Sequence, residues 1–208
     1  MFLKMDMERA FDRMEWSFLL AILEKLGLCP LWISWIKTCI SSVSFSTLLN
    51  GSPFGHFYPE RGLRQGDPLS LFLFILGSEV FSRLLFKEER KDCIFGLRIS
   101  RNYFTIHHFL FADDLFMFGK AFVSEAACFK SCLNKYCSWS GQSISASKSS
   151  IRFSKNTNPV TLNSILTIFP HSTNHSKSLY LGLPIFMGNS KKKAFQSIID
   201  NVLGRIEG

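Results

Sequence analysis

Two adjacent carboxylates, Asp113 and Asp114, separate two apolar runs, Tyr103 to Phe111 and Leu115 to Phe118. Runs of this length, rich in aromatic and aliphatic side chains, read as strands joined by a turn. Like charges placed side by side cost free energy unless cations or donors compensate them. A chain with this unit therefore needs a sheet that leaves both carboxylates at its edge. From Phe111-Ala112-Asp113-Asp114 alone, a plain hairpin turn accounts for the pair, because Asp is common in such turns.

The remaining pattern supplies partners for that hairpin. Phe2 to Met7 reads as a strand. Leu19, Ile22, Leu23 and Leu26 mark a helix from Trp16 that stops at Gly27. Pro30 opens a second helix through Trp32, Ile33, Trp35 and Ile36. Val43 to Leu49 reads as a strand that turns at Asn50-Gly51. Asp67-Pro68 is an N-cap with proline at the first helical position, and a long apolar helix is predicted from there to about Phe86. Phe95 to Ser100 and Tyr103 to Phe111 are predicted strands joined at Arg101-Asn102. Phe129, Leu133, Tyr136 and Trp139 recur at helical spacing before a stop at Gly141. Ile151 to Phe153 and Leu179 to Leu181 are short candidate strands, and Lys191 to Lys193 starts a helix. This order predicts an α+β fold, an antiparallel sheet with helices packed on one face. Ser154 to Lys177, richer in Ser, Thr, Asn and Pro, is the expected boundary between two parts.

Composition narrows the classes. Apolar residues make up 47% of the 208 residues, enough for a sizeable core, and most of the 22 Phe are expected in it. Lys plus Arg outnumber Asp plus Glu by 24 to 16, giving net charge +8. Such a surface favours anionic partners, with nucleic acid the commonest, though an acidic membrane or simple solubility fits charge alone. None of the six cysteines sits in a CxxC pair or at zinc-finger spacing. Cys128 and Cys132 share a helix face, and buried thiols in a reducing compartment are expected. Lys4, Asp6, Glu8 and Arg9 leave no apolar core for a signal peptide. The most apolar stretch, Leu69 to Leu76, reads as too short to span a bilayer. The expectation is an intracellular protein with no membrane partner.

Two further segments carry chemistry. Asp6-Met7-Glu8-Arg9-Ala10-Phe11-Asp12 places a carboxylate at the end of the first strand, where a helix cap or a surface charge is the simpler account. Arg61-Gly62-Leu63-Arg64-Gln65-Gly66-Asp67-Pro68-Leu69-Ser70 combines positive charge with glycines that let backbone approach a ligand closely.

In this order, the segments KMDMERAFDRMEW, SVSFSTLLNGSP, RGLRQGDPLS, FADD, SGQSISASKSS and YLGLP resemble the reverse transcriptases of non-LTR, LINE-type retrotransposons, the plant elements in particular. The resemblance covers nearly the whole chain. It implies an RNA-directed DNA polymerase palm over residues 1–154, followed by the primer-grip strand and the start of a thumb over 155–208. It implies that Asp6, Asp113 and Asp114 are catalytic and hold two Mg²⁺ ions, with Mn²⁺ as a substitute and the Met7 carbonyl as an added ligand. Carboxylates suit a hard cation, and two ions about 3.5–4 Å apart activate the primer hydroxyl and stabilise the leaving pyrophosphate. Phe11 matches the steric gate that selects deoxynucleotides. Gln65 and Gly66 match the loop against the incoming nucleotide and template. Lys148 matches a lysine near the triphosphate, and Leu181-Gly182 matches the primer grip. The implied partners are an RNA template, a DNA primer and deoxynucleotides.

The resemblance also implies a fingers region ahead of Asp6, a longer thumb, an endonuclease and a cysteine/histidine knuckle, none of which this sequence holds. Leu71 stands where the family often has proline, at little cost, because Pro68 already starts the helix. The expectation is therefore palm chemistry with reduced positioning of substrate. The alternative is a catalytically silent retroelement remnant that at most binds nucleic acid weakly through its basic surface.

Overall fold

A computed structural model of the chain describes residues 1–100, 104–170, 179–180, 183–184 and 191–206. Its centre is a four-stranded antiparallel sheet in the order β6-β7-β1-β8. The strands are β1 (Phe2–Asp6), β6 (His108–Phe111), β7 (Asp114–Phe118) and β8 (Ser150–Arg152). Alternation along β1 sends Leu3 and Met5 to one face, where they are 0% and 1% exposed. Leu115, Met117 and Ile151 join them from the neighbouring strands. Phe2 stacks on Phe116 and packs against Phe118 on the other face.

Against Leu3 and Met5 lies one core built with α2 (Trp16–Lys25), α4 (Pro68–Glu89) and α5 (Val123–Ser140). Phe81, Leu85, Phe129 and Tyr136 are fully buried there. The α4 helix starts where the sequence places it, with the Asp67 carboxylate accepting the Leu69 amide at 2.9 Å. It runs 22 residues, well beyond the eight apolar positions read from the sequence. By length and composition it could cross a membrane, which corrects that reading. Its Leu73, Phe74, Phe81 and Leu85 nevertheless belong to the shared core, as in the core helix of a globular domain.

The described residues thus form a mixed α+β structure with antiparallel sheets. Several local expectations change. The strand expected from Tyr103 to Phe111 is broken into β5 (Thr105–Ile106) and β6, because His107 turns inward. Its ring is 2% exposed, lies against His108 and faces Glu89 at 3.4 Å. Burial holds both imidazoles below the usual histidine range, His108 at about 4. Only β4 (Leu97–Arg98) forms within the strand expected from Phe95 to Ser100, and it pairs with β5. The join expected at Arg101-Asn102 lies outside the described residues. The polar stretch expected as a boundary contains α6 (Pro159–Ile168), capped by Asn158 onto the Val160 amide at 2.9 Å. Ile165 is fully buried, and α6 packs on α5.

The cysteines are also less buried than expected. Cys29, Cys39 and Cys93 are exposed, and Cys132 is buried. Cys29 precedes α3 (Pro30–Ser41) and Cys93 follows α4. The hairpin of β2 (Phe45–Leu49) and β3 (Ser52–Phe57) turns at Asn50-Gly51, both at positive φ, as a two-residue hairpin requires. Towards the C-terminus, β9 (Leu179–Tyr180) pairs with β10 (Leu183–Pro184), and α7 spans Lys191–Ile206.

One clip positions the loop before α4. The Leu63 amide donates to the Phe11 carbonyl and the Gly62 amide to the Met14 carbonyl, both at 2.8 Å. The Trp16 indole donates to the Gly62 carbonyl at 2.6 Å. Gly62 has φ +91, and a Cβ there would stand 2.7 Å from the Asp12 carbonyl oxygen. Gly27 has a similar φ of +84 but open space around it. Gly27→Ala should therefore lose only the backbone term, about 1 kcal/mol, while Gly62→Ala should lose roughly 2 kcal/mol or more. Urea midpoints of the two variants against the parent measure the difference.

Candidate active site

The carboxylate turn is built by strand register. Asp6 ends β1 and Asp114 begins β7, and the two are direct cross-strand partners. Side chains of such a pair project from the same face, a few ångströms apart. Asp113 sits in the turn before β7, and its carbonyl accepts the Met7 amide at 2.9 Å. Ala112, beside it, takes φ 51, so the turn is held in a left-handed conformation by a non-glycine residue. Asp6, Asp113 and Asp114 thus meet at one end of the sheet, although more than a hundred residues separate the first from the other two.

Two lysines answer this charge. Lys4 Nζ lies 3.4 Å from Asp114 Oδ1, with both side chains less than a fifth exposed. Lys148 Nζ lies 3.8 Å from Asp6 Oδ1, reaching in from solvent. At that distance Lys148 is an ion pair without a hydrogen bond, and Asp6 Oδ1 is buried with no hydrogen-bond partner among the described residues. Burial raises the Asp6 carboxyl above the ordinary range. Lys148 and Lys4 pull it down, and Asp113 and Asp114 push it up. A buried, unpartnered carboxylate oxygen beside two further carboxylates is a donor set that suits a hard divalent cation.

A turn from the far side of the chain steadies this end of β1. The Ser145 amide donates to the Asp6 carbonyl at 2.8 Å, and the Glu8 amide donates to the Ser143 carbonyl at 2.8 Å. Met7, 2% exposed, bridges to Ile144. The Ser149 hydroxyl accepts the Asp6 amide at 3.2 Å and donates to the Ser145 carbonyl at 2.6 Å. Lys148 rides on this turn, which explains how an exposed lysine reaches Asp6. Buried Gln142 donates to the Ala10 carbonyl at 2.7 Å and ties the same segment to the next residues.

Phe11 is half-buried, its ring stacked on Phe74 of α4 with centroids 4.5 Å apart. Gln65 and Gly66 are exposed in the turn before α4, and Gly66 has φ +91 with open space around it. Leu63 clips that turn to Phe11, so the loop stands beside the segment that follows Asp6. Leu181 and Gly182 lie outside the described residues. Lys4, Ser145 and Ser149 escaped the sequence reading. For Lys4 a signal was present: it lies two residues before Asp6 on one strand, and so on the same face. Ser145 and Ser149 act through backbone geometry that no spacing reveals.

A carboxyl raised by burial and like charge opposes folding once ionised. The folded state holds the proton more tightly, so stability falls as pH rises from the unfolded value through the folded one, and stays lower above it. Asp6→Asn should therefore raise Tm at neutral pH in the presence of a chelator, by roughly 2–4 °C, the shift that ~1 kcal/mol gives in a chain of this size. The gain should vanish at a pH below the unfolded Asp value. Thermal melts at the two pH values measure both effects, and a lower Tm at neutral pH would show that the ionised carboxylate stabilises the fold.

Residues 1–185 match the family model described as reverse transcriptase (RNA-dependent DNA polymerase). An uncharacterized mitochondrial protein of Arabidopsis thaliana is 51% identical over 67 residues, 32% of this chain and 55% of that protein. An uncharacterized 149 kDa protein of transposon TX1 from Xenopus laevis is 30% identical over 149 residues, 72% of this chain and 11% of that protein. The chain thus spans only part of either relative's length. With the model covering most of its residues, this chain belongs to the reverse transcriptase family.

Proposed function

We propose that this chain is the palm of an RNA-directed DNA polymerase of a non-LTR, LINE-type retroelement, with residues 1–154 forming the palm and 155–208 leading into the primer grip and thumb. The observation that carries the reading is the cross-strand pairing of Asp6 with Asp114 beside Asp113, with the buried Asp6 Oδ1 lacking a hydrogen-bond partner. The transposon origin of the Xenopus relative supports the retroelement assignment.

In this reading Asp6, Asp113 and Asp114 hold two Mg²⁺ ions, with the Met7 carbonyl beside them. When bound, the ions supply Lewis-acid activation of the primer hydroxyl and stabilisation of charge on the leaving pyrophosphate. The chain's own groups do the positioning. Lys4, paired with Asp114, keeps a positive charge at the carboxylates. Lys148, on a turn anchored to Asp6, is placed to hold a proton and a positive charge near the triphosphate. Phe11, braced by its stack on Phe74, presents a stiff wall that a 2′-hydroxyl would strike. Gln65 and Gly66 offer an open loop whose backbone can approach the base pair. The net +8 charge favours the phosphate backbone of template and primer.

Primer extension on an RNA template with Mg²⁺ and deoxynucleotides tests this. Asp113→Ala and Asp114→Ala should each lower extension by roughly 100-fold or more, the loss of several kcal/mol of charge stabilisation. Absence of extension by the folded parent would overturn the polymerase reading for this chain and favour a silent remnant. In active protein, Phe11→Ala should admit ribonucleotides. Unchanged sugar selectivity, with the fold intact by circular dichroism, would remove Phe11 from the gate.

A further inference from the structure

Away from the carboxylate turn, ligand-bearing side chains distant in sequence converge where α4 meets α5. Cys93 Sγ, Cys128 Sγ and a carboxylate oxygen of Glu88 all lie within 4.8 Å of one another. The backbone puts them there. Asp92 takes φ 57 just after α4, turning the chain back so that the Cys93 amide donates to the Glu88 carbonyl at 3.0 Å. The residues that follow are pinned. Ile94 is 2% exposed, and the Phe95 and Gly96 amides donate to Glu125 Oε1 at 2.9 and 3.3 Å. Glu125 lies on α5 three positions before Cys128, so the carboxylate that holds the loop sits on the face that presents the thiol. Cys132, buried, lies one turn further along α5. Glu88 divides its carboxylate between two directions: Oε1 accepts Lys91 Nζ at 2.7 Å, and Oε2 faces Cys128 Sγ at 4.0 Å.

We propose that Glu88, Cys93 and Cys128 form a structural binding site for a thiophilic divalent cation, Zn²⁺, that staples the end of α4 and its loop to α5. This inference is independent of the polymerase reading. Sulfur and oxygen ligands suit Zn²⁺ at about 2.0–2.3 Å in a tetrahedron. That geometry places neighbouring donors about 3.3–3.8 Å apart, so a contraction of about 1 Å from the present spread suffices. Cys93 can supply it, its side chain being exposed and its thiol donating to the Lys91 carbonyl at a long 3.6 Å. On binding, each thiol passes its proton to solvent, so affinity should fall with pH. Burial pushes the Cys128 thiol up to about 12, so without a cation that thiol stays protonated. Lys87, Lys91 and Lys135 act on Glu88, and their charge offsets the surplus negative charge of a thiolate-rich site. The site is invisible to spacing rules because α4, a loop and α5 each contribute to it.

Cobalt titration of the reduced full-length chain, with excess Mg²⁺ to occupy the carboxylate turn, tests the proposal. The parent should develop a saturable sulfur-to-cobalt charge-transfer band in the near ultraviolet that Zn²⁺ displaces. Loss of an outer partner of a metal ligand costs about 10–100-fold in affinity, so loss of a ligand through Cys93→Ser should cost at least about 100-fold. Cys93 is exposed, so this variant should keep the parent's circular dichroism. Cys29→Ser, elsewhere on the surface, should leave the titration unchanged. Zn²⁺ should also raise the Tm of the parent and leave that of Cys93→Ser where it was. Absence of the band, or a band that survives both Cys93→Ser and Cys128→Ser, would overturn the site.

Discussion

The pairing of β1 with β7 is the interaction on which the rest depends. Its register sets Asp6 against Asp114 at one end and Phe2 against Phe118 at the other. A slip by one residue would send Leu3 and Met5 to the opposite face and lift Asp6 away from its partners together. The buried face therefore enforces the register: Leu3, Met5, Leu115 and Met117 have no other way into the core. Packing energy spent on one side of the sheet fixes carboxylate geometry on its edge.

Around that pair, the segment from Met7 to Glu15 acts as a hub. It receives the loop before α4 through Leu63 and Gly62, and the segment after α5 through Ser140 and Ser143. Trp16, Arg13 and Gln142 add side-chain bonds across the same seam. Two stretches far apart in the chain are thereby held to a few residues of backbone. Rigid backbone is the right support for a site whose own side chains repel one another, because the repulsion must be borne by groups that cannot move. The two lysines at the carboxylates relieve part of that repulsion, Lys4 as a largely buried counter-charge and Lys148 from solvent.

Much of the framework could be read directly. Asp67-Pro68 and Gly141 marked helix ends because capping and positive φ are local demands that only certain residues meet. The α+β class followed from the order of short apolar runs and helically periodic segments along the chain. Asn158-Pro159 has the same capping logic, and α6 was passed over only because its surroundings are polar. His107 breaking its strand could not be read in this way. Its inward turn depends on Glu89 and the neighbouring His108, contacts that exist only once α4 lies beside β6.

By itself the sequence determined which residues could do chemistry: Asp6, the Asp113-Asp114 pair, Phe11 and the glycine-bearing loop stand in an order that resembles a polymerase palm. Local patterning reaches that far because motif and cap are short-range properties. The tertiary structure alone decided that Asp6 faces Asp114, that Lys4 and Lys148 answer them, and that Glu88, Cys93 and Cys128 meet across two helices. Each of these is a distance through space, set by burial of a shared core, and no spacing along the chain encodes it.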